Sequence, residues 1–90
     1  MNQGQGSLFY QRYVQIQNQF PDHIVAYRVG DFYEVIGENA IIVSNILNLT
    51  LSGRDCGLES RVPMVGFPFH LSDMYVGMLA EKGYKVAVLA

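Results

Sequence analysis

The segment Gly30-Asp31-Phe32-Tyr33-Glu34 carries the residue types in this 90-residue chain best suited to recognition chemistry. Side chains alternate along a strand, so Phe32 and Glu34 share one face and Tyr33 points to the other. An aromatic ring and a carboxylate two residues apart, beside a tight turn, form a compact probe. The ring can stack on an exposed base, an interaction worth about 1–3 kcal/mol. The carboxylate can accept a hydrogen bond from a base N–H or share a proton with a base nitrogen. A carboxylate among phosphates is costly, so its use there is discrimination rather than attraction. The plainer reading of the same pattern makes Phe32 a core residue and Glu34 part of a solvated face.

Other reactive residue types are scattered. His23 and His70 lie far apart without a carboxylate or cysteine at ligand spacing, and His70, which follows a Pro-aromatic turn, reads as a helix-start or packing residue. Asp31 reads as a turn residue. Arg54 and Asp55 fall in a loop, where they can contact phosphate or form a local ion pair. Cys56 is the single cysteine. It cannot form an internal disulfide and has no metal-site spacing, and on this reading it lies in an exposed loop with Arg54 its one basic neighbour. A lone cysteine fits a reducing, cytoplasmic setting. No catalytic residue, metal ligand or nucleophile–base set is visible, and an enzyme is a distant third reading. No Gly-x-x-x-x-Gly-Lys-Ser/Thr loop occurs, so the chain has no nucleotide-hydrolysis motif.

The net charge is −2, with six Lys and Arg against eight Asp and Glu. A free-standing duplex binder ordinarily neutralises several phosphates with clustered cations, and this balance argues against one. It leaves room for a domain that makes one specific contact while other domains supply the charge. Half of the residues are hydrophobic, a globular balance for one domain. No apolar run reaches the ~18–20 residues that span a bilayer.

Residues 1–6 read as a flexible polar lead-in to a single module over 7–90. Ser7 caps a helix from Leu8, with Phe9, Tyr13, Ile16 and Phe20 as its buried stripe, ended by Pro21-Asp22. His23–Val29 and Phe32–Ile36 read as strands, and Gly30-Asp31 as a two-residue type II′ turn. That register sets Val29 opposite Phe32, Arg28 opposite Tyr33 and Tyr27 opposite Glu34. Residues 38–48 fit a buried strand or a buried helix, and their length and acidic start favour the helix. Leu49–Leu51 reads as a short strand, residues 52–60 as a loop, Val62–Val65 as a strand and Gly66–His70 as an aromatic turn. Ser72 caps a last helix with Tyr75, Met78 and Leu79 on its buried stripe, and Gly83 ends it. Met64, Met74 and Met78 read as core filler. Tyr84–Ala90 is a final apolar strand, which predicts that the natural polypeptide continues.

Four stretches carry a family resemblance beyond this pattern. Tyr27-Arg28-Val29-Gly30-Asp31-Phe32-Tyr33-Glu34 resembles the signature of the N-terminal mismatch-recognition domain, domain I, of the MutS DNA mismatch repair family. Asn45 to Asp55 resembles that family's helix-to-strand passage, and Val62 to His70 its Pro-Met-x-Gly-x-Pro-aromatic-His segment. Glu81 to Ala87 resembles the end of its last helix and the next strand. The resemblance runs in order over nearly the whole chain from Ser7. It implies an α/β fold, a small mixed β-sheet flanked by about three helices, with residues 38–48 helical. It also implies that Phe32 wedges beside a mispaired base from the minor groove while Glu34 hydrogen-bonds that base and the DNA kinks there. Asp31, Tyr33, Arg28 and Arg54 are the secondary DNA-binding candidates. The partners implied are mismatched duplex DNA and the other domains of a parent protein. ATP and Mg belong to those other domains, and this chain needs no cofactor of its own.

The sequence also departs from the family pattern. Val35, Ile36 and Gly37 stand where another aromatic and more acids are usual, and Gln15, Gln17 and Gln19 where basic residues are common. The alternative reading is therefore a degenerate domain I-like module, structural or protein-binding, without mismatch binding.

Overall fold

The computed structural model describes residues 5–89. Its elements are α1 (Leu8–Gln19), β1 (His23–Val29), β2 (Phe32–Ile36), α2 (Glu38–Leu47), β3 (Ser52–Arg54), β4 (Val62–Pro68), a 3-10 turn (Phe69–Leu71), α3 (Ser72–Glu81) and β5 (Lys85–Leu89). The five strands form one mixed sheet in the order β3-β4-β2-β1-β5. β5 runs parallel to β1, and the other neighbours are antiparallel. The sheet and its three helices are the α/β arrangement expected from the sequence.

Strand alternation divides the sheet into two faces with separate cores. Ile24, Ala26, Tyr33, Val35, Val65 and Phe67 point toward α2 and α3, where Ala40, Val43, Leu47 and Leu79 meet them. Val25, Ile36 and Cys56 point toward α1 and pack with Tyr13, Phe9 and Ile16. α1 is 12 residues long, which at 1.5 Å per residue covers about 18 Å of that face. Ser7 starts the helix as its residue type dictates, its Oγ accepting the Tyr10 N–H at 3.2 Å. Of the proposed lead-in, residues 1–4 lie outside the described residues, as does Ala90 of the final strand. Gly6 is held in place, its carbonyl accepting from Gln11 Nε2 at 3.0 Å.

The hairpin has the expected register, with Val29 opposite Phe32, Arg28 opposite Tyr33 and Tyr27 opposite Glu34. Gly30 has φ +59° and Asp31 does not have a positive φ, the combination a II′ turn requires. The next hydrogen-bonded pair in this register would be Val25 with Ile36. Instead the Tyr13 hydroxyl is inserted between them, donating to the Val25 carbonyl at 2.5 Å and accepting the Ile36 N–H at 3.1 Å. One side chain of α1 thus replaces a rung of the β1–β2 ladder.

Several local expectations give way to tertiary pairing. The strand expected at Leu49–Leu51 forms three residues later, at Ser52–Arg54, because those residues align with Val62–Met64 of β4. Leu51 is left exposed. The loop read at 52–60 is shortened accordingly. β4 does not stop at Val65 but runs to Pro68, drawn out by pairing with β2 from Ile36 to Phe32. Pro68 is tolerated because the bonds from Phe69 N–H to Asp31 O and from Gly37 N–H to Pro63 O fix the alternation. Pro68 then falls at a position whose missing N–H faces away from β2. Phe20 is not in the buried stripe, since α1 ends at Gln19 and Phe20 turns out against His23 with ring centroids 5.4 Å apart. Met74 and Met78 are exposed on α3 rather than core, and Leu79 is the residue of that helix that is fully buried. Ser72 is the first residue of α3 and makes no side-chain cap.

Burial pushes the Tyr13 pKa up from 10.0 to about 12, opposed by the Ile36 N–H it accepts and assisted by the Glu34 charge. A phenol held neutral in the fold stabilises it fully below pH 10, and this contribution is lost as the pH rises from 10 through 12. Two pKa units correspond to about 2–3 kcal/mol. Urea unfolding of the wild type should therefore show a stability loss across that window that is absent in Tyr13→Phe. At neutral pH Tyr13→Phe orphans two buried backbone groups and should cost about 1–3 kcal/mol. Parallel pH profiles for the two proteins would refute the assignment.

Candidate nucleic-acid interface

The site is built by the inner hairpin. β2 lies between β1 and β4, so the Phe32–Glu34 segment is hydrogen-bonded on both sides. Phe32, Glu34 and Ile36 project on the α1 face. α1 covers Ile36, whereas Phe32 lies at the far end of the strand with 47% of its surface exposed. Gly66 sits opposite Glu34 on β4. A Cβ there would meet Phe32 Cδ2 at 3.5 Å and Glu34 Cγ at 3.9 Å. Both distances are ordinary van der Waals contacts, so Phe32 and Glu34 lie side by side over the Gly66 position of the neighbouring strand.

Glu34 is not a solvated residue. Its side chain is 11% exposed and its Oε1 accepts from Arg54 Nη1 at 2.7 Å. Arg54 reaches it from the edge strand β3, and its guanidinium lies 4.2 Å from the centroid of the Phe9 ring of α1. Phe9 in turn meets Tyr27 edge-on at 5.4 Å. The carboxylate therefore sits in a pocket whose cation comes from β3 and whose aromatic wall comes from α1. Cys56, two residues past Arg54, is fully buried beneath the start of α1 rather than exposed in its loop, and its carbonyl accepts the Ser7 N–H at 2.7 Å. Burial raises the Cys56 thiol pKa, with Arg54 acting in the opposite direction.

The remaining candidates lie on the other side of the tip. Tyr33 is buried on the α2 face, its ring 6.0 Å from Phe67 and 6.1 Å from Phe69. Arg28 Nε donates to the Gly30 carbonyl at 2.6 Å, and its guanidinium lies over Phe69 at 3.6 Å. Asp31 is exposed at the turn, and its backbone carbonyl accepts the Phe69 N–H at 2.7 Å. Phe69, Phe9 and Gly66 were not among the candidate residues. Phe9 showed only as a helix-stripe residue, and nothing local links it to Arg54, 45 positions on. The formal charges of Arg28 and Arg54 balance those of Asp31 and Glu34, so the tip carries no net charge of its own. His23 pairs with exposed Asp22, and Lys85 bonds the same carboxylate at 3.1 Å. These contacts lower the Asp22 pKa, Lys85 contributing most. His70 is exposed in the middle of the 3-10 turn.

Among the described residues no cluster of His, Cys, Asp and Glu could hold a metal ion, and no helix is long and apolar enough to cross a membrane. Fold and tip together define a small α/β recognition domain that presents an aromatic and a carboxylate from the end of a central hairpin. The chain belongs to the MutS domain I family, whose model matches residues 8–90. DNA mismatch repair protein MutS of Ruminiclostridium cellulolyticum is 51% identical over 78 residues, covering 87% of this chain and 9% of that protein. The protein of the same name from Acetivibrio thermocellus is 50% identical over the same share. That of Symbiobacterium thermophilum is 45% identical over 98% of this chain and 10% of its own length. The chain thus spans about a tenth of the length of the curated relatives it matches.

The Glu34–Arg54 pair should be energetically coupled. Glu34→Gln and Arg54→Met each destabilise the fold, and the double variant should be more stable than the sum of the two losses by about 1–2 kcal/mol. Strict additivity in urea unfolding would mean that the pair contributes nothing.

Proposed function

We propose that this domain reads mispaired or distorted duplex DNA as part of a mismatch-repair protein. The observation that carries the reading is a half-exposed Phe32 ring on the same strand face as a recessed, ion-paired Glu34, at the end of an inner hairpin. The ring enters the stack where pairing is already weak, since unstacking costs a few kcal/mol and costs least at a mismatch. Glu34, two residues back along the strand, accepts a hydrogen bond from the displaced base. Tyr33 supports the strand from behind, and Arg28 and Asp31 flank the tip. Arg54 belongs to the site through its contact with Glu34. Affinity comes from elsewhere, because a tip without net charge has no means of gripping phosphates. Other domains of the parent protein supply that grip, together with any ATP and Mg chemistry, and this domain needs no cofactor. The cytoplasm is the setting that suits such a protein.

The neutral tip favours one alternative for the isolated chain, a domain I-like module that keeps the fold for structural or protein contacts. Titration of labelled homoduplex and single-mismatch duplex at low salt separates the two readings. Wild type should prefer the mismatched duplex, and Phe32→Ala should lose that preference by roughly tenfold, the equivalent of one stacking contact. Indifference of the wild type to the mismatch, or an unchanged preference in Phe32→Ala, rejects the reader.

A further inference from the structure

We propose that Phe69 is a positioning residue: its ring holds the Arg28 guanidinium behind the Gly30-Asp31 turn, and the pair fixes Phe32 at the tip. This rests on the reading of the domain as a DNA reader. Phe32 is the first residue of β2, directly after the turn, and turns and strand ends are the parts of a fold that open most readily. Here both carbonyls of the turn are held. Arg28 Nε donates to the Gly30 carbonyl at 2.6 Å, and the Phe69 N–H donates to the Asp31 carbonyl at 2.7 Å. The two donor residues are themselves joined, since the Arg28 guanidinium lies 3.6 Å from the centroid of the Phe69 ring. Phe69 leans in turn on Tyr33, whose ring is 6.1 Å away and buried on the α2 face. A chain of contacts thus runs from the core through Phe69 and Arg28 to the turn, on the face opposite Phe32.

No carboxylate holds Arg28. Among the described residues the ion pairs are those of Asp22 with His23 and Lys85 and of Glu34 with Arg54. The guanidinium therefore depends on the ring beneath it and on the Gly30 carbonyl. A planar guanidinium can lie flat on a ring and donate from its edge at once, which an ammonium cannot. Phe69 is 44% exposed, so a leucine could fill its place but would offer no π face. The consequence reaches the other face of the sheet. A ring that enters DNA binds better when its backbone is ordered beforehand, because ordering it on binding costs affinity. On the reader hypothesis Phe32 inserts at a mismatch and not into intact duplex, so a loosened turn weakens mismatch binding selectively.

The test compares wild type, Phe69→Leu, Phe69→Tyr, Arg28→Met and the Phe69→Leu/Arg28→Met double variant in two measurements on the whole chain. The first is NMR without DNA. The ring current of Phe69 should move the Arg28 side-chain protons upfield in wild type and in Phe69→Tyr, and Phe69→Leu should abolish that shift. Backbone order parameters at Gly30, Asp31 and Phe32 should fall from the rigid range near ~0.85 toward ~0.6 in Phe69→Leu and Arg28→Met, while Phe69→Tyr keeps them. Unmoved order parameters in either variant overturn the positioning role. The second measurement is the ratio of mismatch to homoduplex affinity. Phe69→Leu should lower it about two- to fivefold, the equivalent of one exposed cation–ring contact, and Phe69→Tyr should restore it. The double variant should lose no more than the larger single loss, because both residues act through one clamp. Additive losses, or a ratio that stays at the wild-type value, overturn the proposal. If the wild type fails to discriminate mismatches, the reader is rejected and the NMR result alone decides whether Phe69 holds the turn. If Phe69→Leu does not fold, Arg28→Met and Phe69→Tyr carry both measurements.

Discussion

Taking a carboxylate out of water costs several kcal/mol unless a cation goes with it, and Glu34 is set into the face of the sheet. That requirement organises the parts around it. The cation must come from a strand that can reach the middle of the face, and β3 does so through Arg54. The guanidinium needs an apolar floor, and Phe9 at the start of α1 provides it. The start of α1 is in turn tied to the loop after β3, where Ser7 donates to the Cys56 carbonyl. Edge strand, helix start and hairpin are thereby joined through one ion pair, far apart in sequence and close in space. Exposed ion pairs contribute little. This one differs from them in geometry, its acid being recessed and its base stacked on a ring.

Much of the hairpin was legible in the sequence because its determinants are local. A β-branched and aromatic run, Gly-Asp, and a second such run leave few alternatives for register, and the bounds of β1 and β2 match those read from residue types. Tertiary pairing decided the rest. Leu49-Thr50-Leu51 has the better strand composition, yet Ser52-Gly53-Arg54 is the segment that β4 pairs. Gly66-Phe67-Pro68 looks like a turn and becomes strand because β2 extends alongside it. Cys56 reads as loop and is buried because α1 folds back over it. At the site, Phe32 and Glu34 could be picked out by spacing, and the family resemblance gave them roles. The Arg54 contact could not be seen, since a separation of 20 residues carries no periodic signal.

The two faces of the sheet serve different ends. The α2–α3 face is a nearly continuous apolar core, and Tyr33 belongs to it. The α1 face is apolar beneath the helix and polar beyond it, so the same strand passes from packed Ile36 through paired Glu34 to exposed Phe32 within five residues. The chain belongs to the MutS domain I family, and the curated relatives it matches are about ten times its length.

The inner position of the hairpin also has a mechanical meaning. A force pressing on Phe32 along the strand loads the β1–β2 and β2–β4 ladders together in shear, and the Tyr13 hydroxyl locks the first of these to the helix layer behind it. Many hydrogen bonds would have to slip at once before the tip could retreat. An aromatic on a free loop would recoil at little cost. Here two ladders and a helix layer back the ring, so its position on the sheet is stiff against load along the strand.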